Sequence, residues 1–112
     1  KKFYDDLLGV MGVKYVMGNE RIALYGTDVH NPMLAVCIPY DEQAPSAGNG
    51  TMVAFPVPTL SVLHEIYQIS EDKGGAKDGA PGPRLADSPT HYAYVRDPAG
   101  NKLAFYCEDP TA

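Results

Sequence analysis

The sequence predicts an α+β fold built from two copies of one small module, and three observations carry that prediction. Helical and strand-like stretches follow one another as helix, three strands, linker, strand, helix, short strand and hairpin. The second half thus reads strand-helix-strand-strand-strand, and the first half is the same series without its opening strand. The two halves also end alike, on Leu34-Ala35-Val36-Cys37-Ile38 and Leu103-Ala104-Phe105-Tyr106-Cys107. A period near half the chain is the mark of an internal repeat. Neither copy could bury a helix-covered sheet alone, so the two are expected to pack together.

The elements follow in order. Phe3, Tyr4, Leu7 and Leu8 make one apolar stripe of a helix over Lys1 to Leu8, with Gly9 as its C-cap. Val13 to Val16 and Ile22 to Tyr25 read as strands joined by the turn Gly18-Asn19-Glu20-Arg21. Thr27 to Pro32, which contains His30, is a polar turn, and Met33 to Ile38 is a third strand halted by Pro39. Module one spans 1–40, a Pro-, Gly- and Ala-rich linker spans 41–49, and module two spans 50–112. Thr51 to Val57 is a strand, and Thr59 caps a helix to about Asp72 whose inner face is Leu60, Leu63, Ile66, Tyr67 and Ile69 or Ser70. Lys77 to Pro89 holds three prolines and two further glycines, so it is expected to be extended and partly mobile, with one short strand near its start.

The chain closes on HYAYVRDPAGNKLAFYCE, residues 91–108, two strand-forming runs around Asp97-Pro98-Ala99-Gly100-Asn101. A turn over Pro98 to Asn101 would set Asp97 opposite Lys102, Val95 opposite Ala104, Ala93 opposite Tyr106 and His91 opposite Glu108. Alternation would then send Ala93, Ala104 and Tyr106 to one face. Tyr92 and Tyr94 would go to the other, toward the helices.

Composition narrows the classes of function. The chain has 112 residues, 45% hydrophobic and 21% charged, with a formal charge of −5 and its acidic residues spread out. That is one ordinary globular domain, with no basic patch for nucleic acid and no apolar run near the ~18 residues of a membrane span. Cys37 and Cys107 form no CxxC pair and are expected to be buried free thiols, which points to a cytoplasmic setting. The glycines of 48–50 and 79–82 do not open helices, so phosphate-loop readings fail. His64 and His30 read as surface residues; Arg96 offers a site for an anionic substrate, although a strand-end Arg paired with Asp97 or Glu108 is the commoner case.

FYDDLLG, GNGTMVAF and VRDPAGNKLAFYC together resemble the vicinal oxygen chelate superfamily, the group of glyoxalase I, bleomycin-resistance proteins and extradiol dioxygenases. The resemblance covers the whole chain. It implies a cupped mixed sheet with helices outside, a pocket, a homodimer, and a first strand preceding Lys1. It also implies a divalent metal on His and Glu side chains, but the matched positions are Met52, Ala104 and, in the first half, Ala35. A thioether and two methyl groups offer no oxygen or nitrogen donor. The expectation is a small-molecule-binding protein without that metal. Its pocket candidates are Ala35, Met52, Ala54, His91, Ala93, Ala104, Tyr106 and Glu108. The alternative is a metal-dependent lyase, isomerase or dioxygenase that draws ligands from elsewhere, such as the expected first strand, His91 and Glu108; a structural or regulatory dimer without a ligand is the third reading.

Overall fold

A computed structural model of the chain describes residues 2–28, 33–39, 41–84 and 88–108. The fold is α+β, and the described residues form two helices and two sheets, of three and four strands. The chain divides into two compact units, 1–45 and 46–112. Among the described residues no helix is long and apolar enough to cross a membrane. His30 and Tyr40 lie outside the described residues.

The first unit is a helix and an antiparallel sheet. Helix α1 (Lys2–Val10) buries Phe3, Tyr4, Leu7 and Leu8, the stripe expected from their spacing. It runs past Gly9 and stops at Gly12, whose φ of +79° suits glycine and ends the turn; the Val13 amide returns to the Leu8 carbonyl at 3.0 Å. Strands β1 (Lys14–Gly18), β2 (Ile22–Gly26) and β3 (Leu34–Cys37) form the sheet in that order. Ala23 and Tyr25 are buried, and Val36 and Leu34 stand opposite them in the register. Tyr25 donates to the Asp5 carboxylate at 2.7 Å, and its ring meets those of Tyr4 and Tyr15. Burial first, and the neighbouring Asp5 carboxylate second, push the Tyr25 hydroxyl well above the ordinary phenol range. Ile22, Leu24, Ala35 and Cys37 take the other face. Cys37 is exposed, against expectation, because β3 is an edge strand and alternation turns this thiol away from Tyr25; Cys107 is buried as expected.

The second unit is organised by helix α2 (Leu60–Asp72) and strands β4 (Met52–Pro56), β5 (Ala76–Pro83), β6 (His91–Arg96) and β7 (Lys102–Cys107). The sheet order is β4-β7-β6-β5, with β4 and β7 parallel and the other pairs antiparallel. Thr59 caps α2 as expected, its hydroxyl accepting from the Val62 amide at 3.1 Å. Leu63 and Ile66 are completely buried, and each contributes about 1.5–3 kcal/mol through removal from water. Val95, Leu103, Phe105, Cys107 and Ala93 are buried with them, and Phe55 stacks on Phe105 at 5.3 Å. Strand β5 is eight residues long where one short strand was expected. Among the described residues it is an edge strand, and two irregularities, between Lys77 and Gly79 and between Gly79 and Gly82, take Asp78, Ala80 and Pro81 out of the regular pairing.

The closing hairpin corrects the expected register by one residue. Arg96 pairs with Lys102, Tyr94 with Ala104, Tyr92 with Tyr106 and His91 with Cys107. Asp97 belongs to a five-residue loop instead of the strand. Its amide donates to the Asn101 carbonyl at 2.9 Å. Its carboxylate accepts from the amides of Ala99 (3.0 Å) and Asn101 (2.8 Å) and from the Asn101 side chain (2.9 Å). Gly100 supplies the φ of +92° that the loop requires. The shift exchanges the faces: Tyr92 and Tyr94 leave the helix side, and His91 and Ala93 take their place beside Phe105 and Cys107.

Candidate functional site

Paired residues in neighbouring strands share a face, so the register of the second unit can be read as rows across the side turned away from α2. The first row is Met52, Lys102, Arg96 and Ala76; the second is Ala54, Ala104, Tyr94 and Gly79; the third is Pro56, Tyr106, Tyr92 and Gly82. The opposite side of the sheet carries Val53, Phe55, Leu103, Phe105, Ala93 and Val95. Lys77 is on that side too, its ammonium 5.3 Å from the centre of the Tyr67 ring on α2.

The rows form an aromatic surface with a charged end. Tyr92 and Tyr94 stack with ring centres 6.4 Å apart, and Tyr92 meets Tyr106 across the strands at 5.9 Å. Cations flank Tyr94: the Lys102 ammonium lies 4.9 Å and the Arg84 guanidinium 5.2 Å from its ring centre. Arg84 is held there by the carbonyls of Ala80 and Gly82. Gly79 is required beside this ring, because a Cβ at that position would come within 2.8 Å of Tyr94 Cδ2.

Asp78 ties the charged end together. Its Oδ2 accepts from Arg96 Nε at 3.1 Å and lies 3.4 Å from Lys102 Nζ. Partial desolvation alone would raise the Asp78 carboxyl. The Lys102 hydrogen bond and the Arg96 charge outweigh it, so the net shift is downward from the ordinary carboxylate range. Arg96 Nη1 also donates to the Gly100 carbonyl at 3.1 Å, which links the site to the hairpin loop. Arg96 is therefore paired with Asp78, and not with Asp97 or Glu108.

A cleft of about 590 Å³ opens at this end, lined by residues 47–51 together with Met52, Arg96 and Lys102. The expected pocket residues fall into separate groups. Met52, Ala54, Ala104 and Tyr106 share the tyrosine face, with Met52 on the cleft wall and 48% exposed. Ala104 is fully covered, so its small side chain opens no space. His91 and Ala93 lie on the other side of the sheet, His91 held by the Pro89 carbonyl at 2.9 Å. Glu108 is exposed just beyond β7, and no longer faces His91. Ala35 is exposed in the first unit, opposite Leu24. His64 is exposed on α2, as expected.

The sequence reading missed Asp78, Arg84 and Lys102, and it took the cleft-lining residues 47–49 for a plain linker. The available signal was the hairpin register: with Asp97 placed in the loop, Lys102 falls beside Arg96 and both fall on the tyrosine face.

Among the described residues no group of three or more His, Cys, Asp and Glu side chains is placed to hold a metal ion. The side chains at the matched positions, a thioether and two methyl groups, carry no oxygen or nitrogen donor and do not fit a divalent metal that needs one.

No family model matches the chain, and no curated protein matches it. Among solved structures, it is similar to a glyoxalase/bleomycin resistance protein from Albidiferax ferrireducens T118, at 28% identity and a TM-score of 0.82, covering 97% of this chain and 87% of that one. A glyoxalase/bleomycin resistance protein/dioxygenase family enzyme from Burkholderia phytofirmans PsJN matches at 14% identity and a TM-score of 0.70, over 96% and 86% of the two chains. A glyoxalase-related enzyme from Fulvimarina pelagi matches at 18% and 0.67, over 95% and 76%. These two lower identities speak to the fold alone.

Proposed function

We propose that this chain, which has the fold of the glyoxalase/bleomycin resistance/dioxygenase proteins of the vicinal oxygen chelate superfamily, binds a small aromatic molecule without the superfamily's usual metal. The observation that carries this reading is the setting of Met52. The position matched to a metal-binding His lies on the wall of the 590 Å³ cleft, and its neighbours there include a guanidinium and an ammonium, whose charges repel a divalent cation. Tyr92, Tyr94 and Tyr106 continue the same face, each half-buried and each offering a ring and a hydroxyl. An apolar wall with a few placed polar groups is the usual composition of a ligand site.

A second copy of the chain belongs to the same reading. Tyr15, Met17, Ile38, Met52 and Val53 are large apolar residues left exposed, and β1, β3, β4 and β5 are edge strands of their sheets. A cytoplasmic setting fits the free thiols of Cys37 and Cys107.

Metal analysis of the purified chain, paired with thermal-shift titrations of aromatic compounds with and without chelator, tests the proposal. The expected result is substoichiometric metal and a chelator-independent rise in the unfolding midpoint with at least one aromatic compound. One equivalent of zinc, iron, manganese or nickel per chain would overturn it. Light scattering across a dilution series reads the dimer.

A further inference from the structure

Only nine lysines and arginines occur in a chain of charge −5, yet Arg84, Arg96 and Lys102 gather on the tyrosine face of the second unit. One carboxylate, Asp78, is paired with Arg96 and Lys102. From this concentration of cations we infer that the ligand carries an anionic group, a carboxylate or similar oxyanion, seated between Arg96 and Lys102 with its aromatic body along the tyrosines. The inference deepens the proposed function and rests on it.

Three features support the assignment. First, the donors are not used up. Of the five N–H donors a guanidinium has, Arg96 spends one on Asp78 and one on the Gly100 carbonyl, and Lys102 has three donors and a single carboxylate beside it. Both side chains line the cleft, and they keep 39% and 33% of their surface exposed. Second, Asp78 neutralises only one of two charges, so the charged end keeps a net positive charge of about one unit. It also fixes both cations in place, which lowers the entropy lost when they grip a ligand. Third, the rows set an order. Cations occupy the first row, Tyr94 the second, and Tyr92 with Tyr106 the third. An acid group at one end of a flat ring system meets matching chemistry along its length. A neutral or cationic aromatic molecule would leave the first row unused or repelled.

The test compares 2-naphthoate with 2-naphthamide, which share a ring system and differ in charge, together with inorganic phosphate alone. Each is titrated into the 112-residue chain and followed by amide NMR shifts. Naphthoate is expected to bind at least tenfold tighter than naphthamide, with shifts at residues 48–52, 96 and 102 and at the three tyrosines. Its affinity should fall as salt is raised. Arg96→Gln and Lys102→Gln should each weaken naphthoate about tenfold more than they weaken naphthamide, so that the acid–amide ratio shrinks by that factor, with the thermal midpoint of each variant reporting that it is folded. Because the acid–amide comparison uses the unaltered chain, it stands even where a variant fails to fold. Equal affinities for acid and amide would overturn the anion assignment and leave the aromatic site intact. Phosphate binding as tightly as naphthoate, without tyrosine shifts, would overturn the aromatic reading. Failure of all three probes to bind at millimolar concentration would overturn both.

Discussion

Replacing Asp97 by Ala should destabilise the second unit more than any other single change in the hairpin loop. Asp97 is 7% exposed, and its carboxylate accepts hydrogen bonds from the amides of Ala99 and Asn101 and from the Asn101 side chain. Bonds to a charged acceptor contribute about 1.5–3 kcal/mol each, but three that share one acceptor group are not additive. Water partly restores the two amides once the side chain is gone. The expected loss is therefore about 2–4 kcal/mol. For a unit of this size, roughly 4–8 °C per kcal/mol makes that a fall of at least about 8 °C in midpoint. Asp97→Asn separates charge from shape. It keeps one acceptor oxygen and turns an amide donor toward the Asn101 donor, so about half the loss is expected. Urea unfolding followed by far-UV circular dichroism measures both variants. A D97A chain within 0.5 kcal/mol of the original would refute this account of the loop, and with it the reason given for the register.

Other measurements check the packing and the titrations. Tyr25 holds its proton longer in the folded chain than in the unfolded chain, because its pKa is raised above the unfolded value near 10. Below pH ~10 both states are protonated and its contribution is fully present; above that, the unfolded state loses its proton first and stability falls by up to about 1.4 kcal/mol per pH unit. Tyr25→Phe should cost about 1 kcal/mol at neutral pH through the lost Asp5 bond and should flatten this alkaline decline, as read by denaturant midpoints between pH 8 and 11. Ala104→Glu places a carboxylate at a fully covered position and should destabilise by about 2–4 kcal/mol without conferring zinc uptake. A stable A104E chain holding one zinc ion would contradict that reading. Under native conditions a thiol reagent should modify Cys37 rapidly and Cys107 only on unfolding, which mass spectrometry of the labelled chain resolves.

Much of the fold is written in local patterns. The stripe of Phe3, Tyr4, Leu7 and Leu8 and the cap at Thr59 depend on near neighbours, and each is found where the pattern puts it. Strand β5 departs because Pro81 and Pro83 break central strands but are tolerated at an edge, and which strand lies at an edge is a tertiary fact. Cys37 departs for a related reason. Its run, Leu34 to Cys37, reads as a buried strand, yet only one side of that edge strand faces the buried Ala23 and Tyr25.

The tyrosine face was lost in the sequence to a single residue. Asp97 looks like the last residue of a strand, and only its bonds to Ala99 and Asn101 place it inside the loop. Side chains alternate with period two, so that one-step error sent the tyrosines to the helix side and gave His91 and Ala93 the face they do not occupy. Asp78 could not be found by any local signal. It is separated from Arg96 and Lys102 by 18 and 24 positions, and only the β5–β6–β7 pairing brings the three together. The hairpin thus decides the chemistry twice. Its loop fixes which side chains share a face, and through the Gly100 carbonyl it holds one of the two cations that stand beside Met52. A change that slips the register would therefore remove the tyrosine platform and the cation pair together, while the helix side of the sheet could still find apolar partners.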